Sequence, residues 1–333
     1  MLERVFGEHY RVEEQELKTK VDKELSATSL QSPDDLEATY REKGKKSYKG
    51  YVANLTETCD PENKLQLITK VQVALNHTDD AVLLVEALSN LKERTNLETL
   101  FTEGGYGSPD ADQTLQKNLV EQIQTTIRGR APSSEKLNLA DFEIKQTESG
   151  KPTQITCPQQ QTMAVHLGSQ KKNYVARFEA VVCQAFPFFQ KRACPAQRGK
   201  RDLRFHLRFS QEQANLSQRR RRSLAHQKEG RNLRTAIEAT VRQVKYPFPA
   251  SKLPVRGRFR VTCLMIGSAL VSNVRRIQRY LETKMKVENE PKYPQKGPKG
   301  SQEQSMGSFF AWLKSVWDGW NTPMMLRKLC FGC

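Results

Sequence analysis

The sequence lacks the segments that would send a chain into or across a membrane. Its 333 residues contain no apolar run near 18 residues and have a mean hydropathy of −0.69, which excludes a membrane span. The first residues, MLERVFGEHYRVEEQE, are too charged for a signal peptide. Seven cysteines, an odd number without a secretory signal, predict reduced thiols or metal ligands rather than disulfides. We therefore expect a cytoplasmic protein.

Acidic residues are scarce in one third of the chain. Residues 191–286 hold 25 Lys and Arg against 5 Asp and Glu, a net charge of +20, whereas residues 1–190 carry −5 and residues 287–333 carry +2. Clustered cations displace condensed counterions from phosphates, so a nucleic acid is the first expected partner and an acidic membrane surface the second. A solvated charged face is the alternative interpretation.

The sequence predicts an α/β fold that starts with short strands. Residues 48–59 and 65–74 alternate in polarity and are rich in β-branched residues, and the turn residues of 60–63 between them indicate a hairpin. Thr78 is the expected N-cap of a helix over residues 79–94. The apolar side chains that recur at helical spacing in it are Val82, Val85, Leu88 and Leu91.

An acidic residue follows the next predicted strand, residues 97–102. Glu103 is succeeded by Gly104 and Gly105, which let the chain turn sharply into a helix from about Asp110. The carboxyl ends of strands line the ligand-binding crevice of an α/β sheet, so a carboxylate there is placed to coordinate a metal ion. An acid that stabilises the helix N-terminus is the alternative.

A second acidic candidate lies in the basic third. Residues 232–246 predict a helix with an apolar seam, and Glu238 lies beside that seam as the only acid between Gly230 and Leu281. Basic side chains stand about one helical turn away from it. Its carboxylate suits either a metal ion or a plain ion pair, and the spacing alone favours the ion pair.

Several segments, taken in order, resemble the DDE transposases of bacterial insertion sequences. The segments that carry the resemblance are SLQSPDDLEATYREKG (29–44), GYVANLTETCDPEN (50–63), TEGGYGSP (102–109), IQTTIRGR (123–130), LRTAIEATVRQVKYPFPASKLPVRGRFRV (233–261) and IGSALVSNVRRIQRYL (266–281). The resemblance implies an RNase H-like mixed sheet with flanking helices, interrupted by a small Cys-containing insertion. It also implies a bacterial, nucleoid-associated enzyme.

The resemblance implies three catalytic carboxylates that hold two divalent ions, Mg²⁺ or Mn²⁺, for in-line attack on a phosphodiester. It assigns the third to Glu238 and the second to Glu103, where the family has Asp. The family's first Asp lies upstream of the region matched by the start of this chain, so we expect that acid to be missing. Asp34 and Asp35 follow a Ser-Pro turn and Asp60 lies in a hairpin turn, and we expect none of them to replace it.

Cys157, Cys183 and Cys194 fall where the family has a Cys-rich insertion that resembles a zinc-binding knuckle. The family's further Cys falls at Phe186 here, and His166 is the remaining candidate for a fourth ligand. We therefore favour the interpretation that these cysteines are buried apolar thiols over the alternative that they form a degenerate zinc site.

The basic third is expected to contact duplex DNA, meaning the element ends and the target. Residues 198–208 alternate basic and apolar side chains, which we interpret as phosphate contacts. The individual cations predicted to bind DNA are Arg128, Arg130, Arg219, Arg220, Arg221, Arg222, Arg234, Arg242, Lys245, Arg256 and Arg258.

The sequence divides into five predicted segments. They are a polar N-terminal segment that is a remnant of an upstream region (1–47), the first part of the RNase H-like domain (48–130), a basic, Cys-bearing, irregular insertion (131–225), the C-terminal helices of the catalytic domain (226–286), and a linker with an amphipathic tail (287–333). The tail predicts a C-terminal amphipathic helix over residues 308–320 that docks on the core, pairs with another chain or touches lipid, with docking favoured over the membrane.

Two hypotheses follow from the sequence. The first is an insertion-sequence transposase that cleaves and transfers DNA strands, inactive alone because the first Asp is lost and position 103 is Glu. The alternative is a non-catalytic DNA-binding remnant of such an enzyme. A homo-oligomer is compatible with either, and neither needs a small-molecule substrate.

Overall fold

The computed structural model describes residues 1–127, 129, 133, 135–168, 172–199, 202–228, 234–245, 248, 252–289 and 328–332. This part of the chain contains eight α-helices and fourteen strands, arranged in two six-stranded sheets and one two-stranded sheet. The mixed α/β class predicted from the sequence is confirmed.

The N-terminal segment, predicted only as polar, contains regular structure. Helix α1 (Leu2–His9) leads into strands β1 (Tyr10–Glu13) and β2 (Glu16–Thr19), which pair in antiparallel register. The two residues between the strands, Glu14 and Gln15, have φ of 51° and 69°, the left-handed conformation that a tight hairpin turn requires.

The next segment builds most of the main sheet. Its elements are β3 (Thr39–Lys43), β4 (Lys46–Thr58), β5 (Ile68–Leu75), α2 (Asp80–Arg94), β6 (Thr99–Thr102), α3 (Pro109–Lys117) and β7 (Glu121–Gln124). The predicted hairpin is confirmed as the antiparallel pair β4 and β5, with an irregularity in register between Thr56 and Glu57. The strand before Glu103 and the helices on either side of it are confirmed as well.

Helix α2 differs from its prediction in cap and in phase. Asp79, not Thr78, is the N-cap, and its side chain accepts a hydrogen bond from the Ala81 amide at 3.3 Å. Val82 is 46% exposed, whereas Leu83 and Leu84 are fully buried. The helix is apolar over a wide arc, so spacing alone did not fix which stripe faces the sheet.

The middle of the chain is a second sheet, and the irregular structure expected there is wrong. Strands β8 (Glu143–Gln146), β9 (Pro152–Thr156), β10 (Thr162–Leu167) and β11 (Tyr174–Phe178) are followed by helices α4 (Ala180–Ala185) and α5 (Pro187–Gln190) and strands β12 (Gln197–Arg198) and β13 (Phe205–Phe209). The strand order is β12-β13-β11-β10-β9-β8, with antiparallel neighbours throughout.

The alternation over residues 198–208 belongs partly to this sheet. Phe205, Leu207 and Phe209 are at most 3% exposed and form one face of β13, with Arg208 on the other. Alternating polarity is the pattern of a half-buried strand, and here it builds a core as well as a basic surface. The alternation therefore has a structural role in β13, and the interpretation of its basic side chains as phosphate contacts stays a prediction.

Three helices and a last strand follow: α6 (Gln211–Lys228), α7 (Arg234–Lys245), α8 (Arg258–Asn289) and β14 (Lys328–Gly332). Strand β14 lies inside the main sheet, whose order is β3-β4-β14-β6-β7 with β5 paired to β4. It pairs antiparallel with β4, Leu329 opposite Thr58, and parallel with β6, Cys330 opposite Phe101.

The main sheet has a core on each face. Neighbouring residues of a strand point to opposite faces, and Leu100 packs with α2 and α3 while Phe101 packs with α7 and α8. The predicted helix seam is confirmed, because Ile237 and Val244 of α7 are at most 3% exposed. The second sheet has a separate core that includes Phe142, Phe178 and Phe205 and also Ala214 of α6.

Helix α8 is tied to the rest of the chain by polar side chains at two places. Near its N-terminus, Asp35 accepts hydrogen bonds from the Tyr51 hydroxyl at 2.6 Å and from the Gly257 amide at 2.9 Å. Farther along, the Asn273 amide group bonds both the N–H and the carbonyl of Ile68, each at 2.9 Å. Burial and the bond to Asp35 raise the pKa of Tyr51.

The predicted linker (292–300) and amphipathic tail helix (308–320) lie outside the described residues. Among the helices that are described, none has the length and apolar character that crossing a membrane requires.

Candidate functional site

Glu103 stands where the sequence predicted it, directly after β6. The chain then makes a short 3₁₀ turn over Gly104–Tyr106, which brings the Tyr106 ring into the core. The Tyr106 hydroxyl donates to Asn54 of β4 at 2.9 Å, and Asn54 in turn donates to Gln72 of β5 at 3.1 Å. This buried polar chain fixes the turn, and with it Glu103, to the middle of the main sheet.

A cavity of about 500 Å³ opens beside Glu103. Its acidic lining residues are Glu42, Asp79, Asp80 and Glu103, and His77, Arg41 and Lys43 also line it. A Cβ on Gly105 would stand 2.6 Å from an Asp80 carboxylate oxygen, so glycine lets the turn approach the start of α2. Local sequence patterns did not indicate this grouping, because its members come from β3, the start of α2 and the turn after β6.

Glu238 lies on α7, on the face of the sheet opposite α2 and α3, and its side chain is exposed. It is not one of the described residues that line the cavity beside Glu103. Among the described residues, no three His, Cys, Asp or Glu side chains form a group able to hold a metal ion. The described acids are therefore not gathered into the group that a Mg²⁺ or Mn²⁺ pair requires, and the assignment of Glu103 and Glu238 to one metal site stays a prediction.

The sequence missed a buried charge network beneath α7. Glu57 of β4 is 2% exposed, and it accepts hydrogen bonds from the Thr240 hydroxyl at 2.6 Å and from the Arg276 guanidinium at 2.9 Å. Arg276 also donates to Thr240 and, at 3.2 Å, to the Gln66 carbonyl. Thr240 follows Glu238 by two positions, so the network fixes the helix that carries Glu238. The sequence signal that could have indicated this network is Glu57 itself, a charged residue in the otherwise apolar or uncharged buried half of β4.

The three predicted cysteines converge. Cys157, Cys183 and Cys194 line one small apolar cavity together with Phe186, the residue predicted to replace a fourth cysteine. Burial, reinforced by the other two cysteines, raises the pKa of Cys183 to about 11, and burial also raises the pKa of Cys194. Zinc requires thiolates and four ligands, whereas this cavity favours neutral thiols and presents an aromatic ring. These residues do not fit zinc.

Two of the predicted DNA-binding arginines on α6 face acids of the main sheet region. Arg219 is 12% exposed and lies 3.8 Å from Asp112 of α3, while Arg222 lies 3.2 Å from Glu121 of β7. Burial raises the pKa of Asp112 even though Arg219 opposes the shift. Arg219 therefore anchors α6, and the neighbouring Arg220 and Arg221 are half-buried.

The predicted cations before α8 are also paired. Arg256 forms an ion pair with Asp34, and Arg258 lies 3.8 Å from Glu37, all four side chains being largely exposed. Arg242 is exposed on α7 and Lys245 is half-buried. Arg128, Arg130 and the side chain of Arg234 lie outside the described residues.

A family model described as a transposase DDE domain matches residues 156–278. The matched segment runs from the end of β9 to the middle of α8, and it includes the three cysteines of the apolar cavity and Glu238. Comparison with the curated proteins and with the solved structures finds no match.

Proposed function

We propose that the chain is a DDE-type transposase, which the family model over residues 156–278 supports, and that it binds duplex DNA but does not cut it with the acids it presents. DNA transposition requires both a surface for the phosphate backbone and a metal-holding acid set. The two requirements can be tested separately, because the predicted phosphate-binding cations and the predicted metal-holding acids are different side chains.

The arrangement of the acids carries the proposal. Glu103 borders a cavity with Asp79 and Asp80, whereas Glu238 lies exposed on α7 and outside that lining. No group of three candidate ligands exists among the described residues. Two-metal hydrolysis requires acids that hold both ions in fixed positions, so we expect no metal-dependent cleavage by this chain alone.

The identity of residue 103 adds to this expectation. Glu is one methylene longer than the Asp that the family resemblance implies, and Mg²⁺ demands near-ideal octahedral geometry at roughly 2.0–2.1 Å. A carboxylate displaced by a bond length mis-sets the ion unless the backbone compensates.

We extend the proposal to the fold: an RNase H-like domain interrupted by an insertion. Strands β4, β5, β6 and β7 share one core with α7 and α8, which supports joining residues 48–130 and 226–286 in one domain. The sheet of β8 to β13 has its own core, which supports an insertion between the two parts.

The test is a nicking assay with supercoiled plasmid and purified chain in Mg²⁺ and in Mn²⁺, alongside the variants Glu103→Asp, Glu238→Gln and their combination. We expect binding without nicking in the unaltered chain. Nicking that disappears in Glu238→Gln would show a working metal site and overturn the proposal. Nicking gained in Glu103→Asp and lost again in the double variant would identify the longer side chain as the defect.

A further inference from the structure

A basic cleft of about 630 Å³ lies between the turn before β5 and the C-terminal half of α8. Its four cationic lining residues are Lys64, Arg276, Arg279 and Lys284, joined by the polar side chains of Tyr280 and Thr283. Among the described residues that line it, none is Asp or Glu. The nearest acid of α8, Glu282, accepts a hydrogen bond from Gln278 instead. We call this surface the α8 cleft.

The cations of the α8 cleft differ in how they are held. Arg276 is fixed from beneath by Glu57 and by the Gln66 carbonyl, so its guanidinium forms part of the floor. Arg279 and Lys64 have no ion-pair partner within the described part of the chain, and Arg279 is exposed. Arg276 is thus preorganised, and the Arg279 and Lys64 side chains are exposed to solvent.

This distinguishes Arg279 and Lys64 from the arginines that the sequence singled out. Arg219, Arg222, Arg256 and Arg258 all lie against acids of the same chain. A phosphate approaching one of them competes with a carboxylate already in place, whereas Arg279 and Lys64 require no such exchange. Charge density along the sequence cannot distinguish the two kinds of cation.

We propose that the α8 cleft binds the phosphate backbone of a DNA strand. Arg276 and Lys284 are separated by roughly 12 Å along the helix at 1.5 Å per residue, which spans about three phosphates of one strand at about 3.4 Å per phosphate along the duplex axis. Arg side chains suit phosphate oxygens, and contacts to phosphates position a duplex without reading its sequence. The inference rests on the proposed DNA binding and assigns it to a surface.

The experiment measures fluorescence anisotropy of a labelled 20-base-pair duplex at 50, 100 and 200 mM salt. The test variant is Lys64→Ala/Arg279→Ala. The matched control is Lys46→Ala/Lys49→Ala, which removes two exposed cations from the hairpin of β3 and β4. Thermal unfolding of every variant shows that the fold is intact.

We expect the test variant to bind at least tenfold more weakly and to lower the slope of log affinity against log salt by about 2, or about 1 per lost phosphate contact. A second duplex of unrelated sequence should show the same loss. If test and control variants bind alike while the unaltered chain binds DNA, the α8 cleft is not the surface, and DNA binding itself stands. If the unaltered chain fails to bind at 50 mM salt, the proposed function fails first.

Discussion

Glu57 of β4 and Arg276 of α8 form a 2.9 Å ion pair although they are 219 positions apart in the chain. The pair lies under α7, and the Thr240 hydroxyl completes it. It connects three elements that the family resemblance treats separately: the hairpin strand, the helix of Glu238 and the long helix behind it. Glu57 and Thr240 are buried and Arg276 is half-buried, so substitutions should reveal the contribution of the network to stability.

Replacing Glu57 by Ala should destabilise the chain by about 3–5 kcal/mol, because the Arg276 charge loses its partner in a buried site. The measurement is urea unfolding followed by circular dichroism. The double variant Glu57→Leu/Arg276→Met should recover much of the loss, since it removes both charges at similar volume. A single variant within 0.5 kcal/mol of the unaltered chain would show that the pair contributes nothing.

Asn273→Ala should cost about 2 kcal/mol, because both hydrogen bonds to the Ile68 backbone are lost and each contributes about 1 kcal/mol. Gln278→Ala on the same helix is the matched control, with an exposed bond to Glu282 and an expected change below about 0.5 kcal/mol. Equal unfolding midpoints for the two variants would contradict the role of Asn273.

Cys183 should resist alkylation near neutral pH. With its pKa raised from 9.0 to about 11, its thiolate fraction at pH 8 is about a hundredfold below that of an unshifted thiol. Peptide mapping after brief iodoacetamide treatment should therefore show labelling of the exposed Cys263 well before Cys183. Comparable labelling at pH 8 would mean that the apolar cavity is open to solvent.

The raised pKa of Cys183 also predicts that the free energy of unfolding decreases as the pH rises. The folded chain holds the Cys183 proton more tightly than the unfolded chain, so this contribution is complete below pH 9 and is lost as pH rises from 9 to about 11. Unfolding free energies at pH 8.5 and 10.5 should differ less in Cys183→Ala than in the unaltered chain. An identical difference in both would assign the pH dependence to other groups.

Leu329→Pro should damage the main sheet at its centre, since β14 pairs on both sides and proline cannot donate to a ladder. Hydrogen exchange should accelerate in β4 and in β6 together. Lys18→Pro in β2 is the control, because that strand belongs to the separate two-stranded sheet and its loss should stay local. Protection of β4 and β6 that survives in Leu329→Pro would rule out β14 as their shared partner.

Local patterns predicted the elements whose neighbours are near in sequence. The β4 and β5 hairpin, the strand before Glu103 and the α7 seam follow from alternation, turn residues and helical spacing. The phase of α2 was not fixed, because Leu83 and Leu84 lie as close to an apolar stripe as Val82 does. Polarity also alternates in β13, but its basic residues fit a phosphate-binding surface as well as a strand. The strand was therefore not predicted, although Phe205 and Leu207 are buried in its core.

The candidate sites were predictable only as separate residues. Glu103 was found because an acid between a strand and two glycines is conspicuous, and the convergence of Cys157, Cys183 and Cys194 agrees with their grouping. The residues that lie near Glu103 were not predictable, because Glu42 and Asp80 are brought to the same cavity only by the tertiary fold. Nor could spacing distinguish the paired Arg256 from Arg279, since the presence of an acid beside an arginine depends on distant segments.

Strand β14 has a consequence for how the protein is made. A ribosome synthesises β3 to β7 first, and about 200 further residues separate Gln124 from Lys328. The edges of β4 and β6 that face β14 therefore stay unpaired until the end of the chain has been synthesised. Neighbouring nascent chains on one messenger RNA expose the same unpaired edges at the same time, and such edges can pair between chains. Correct folding is therefore favoured when few chains are synthesised close together.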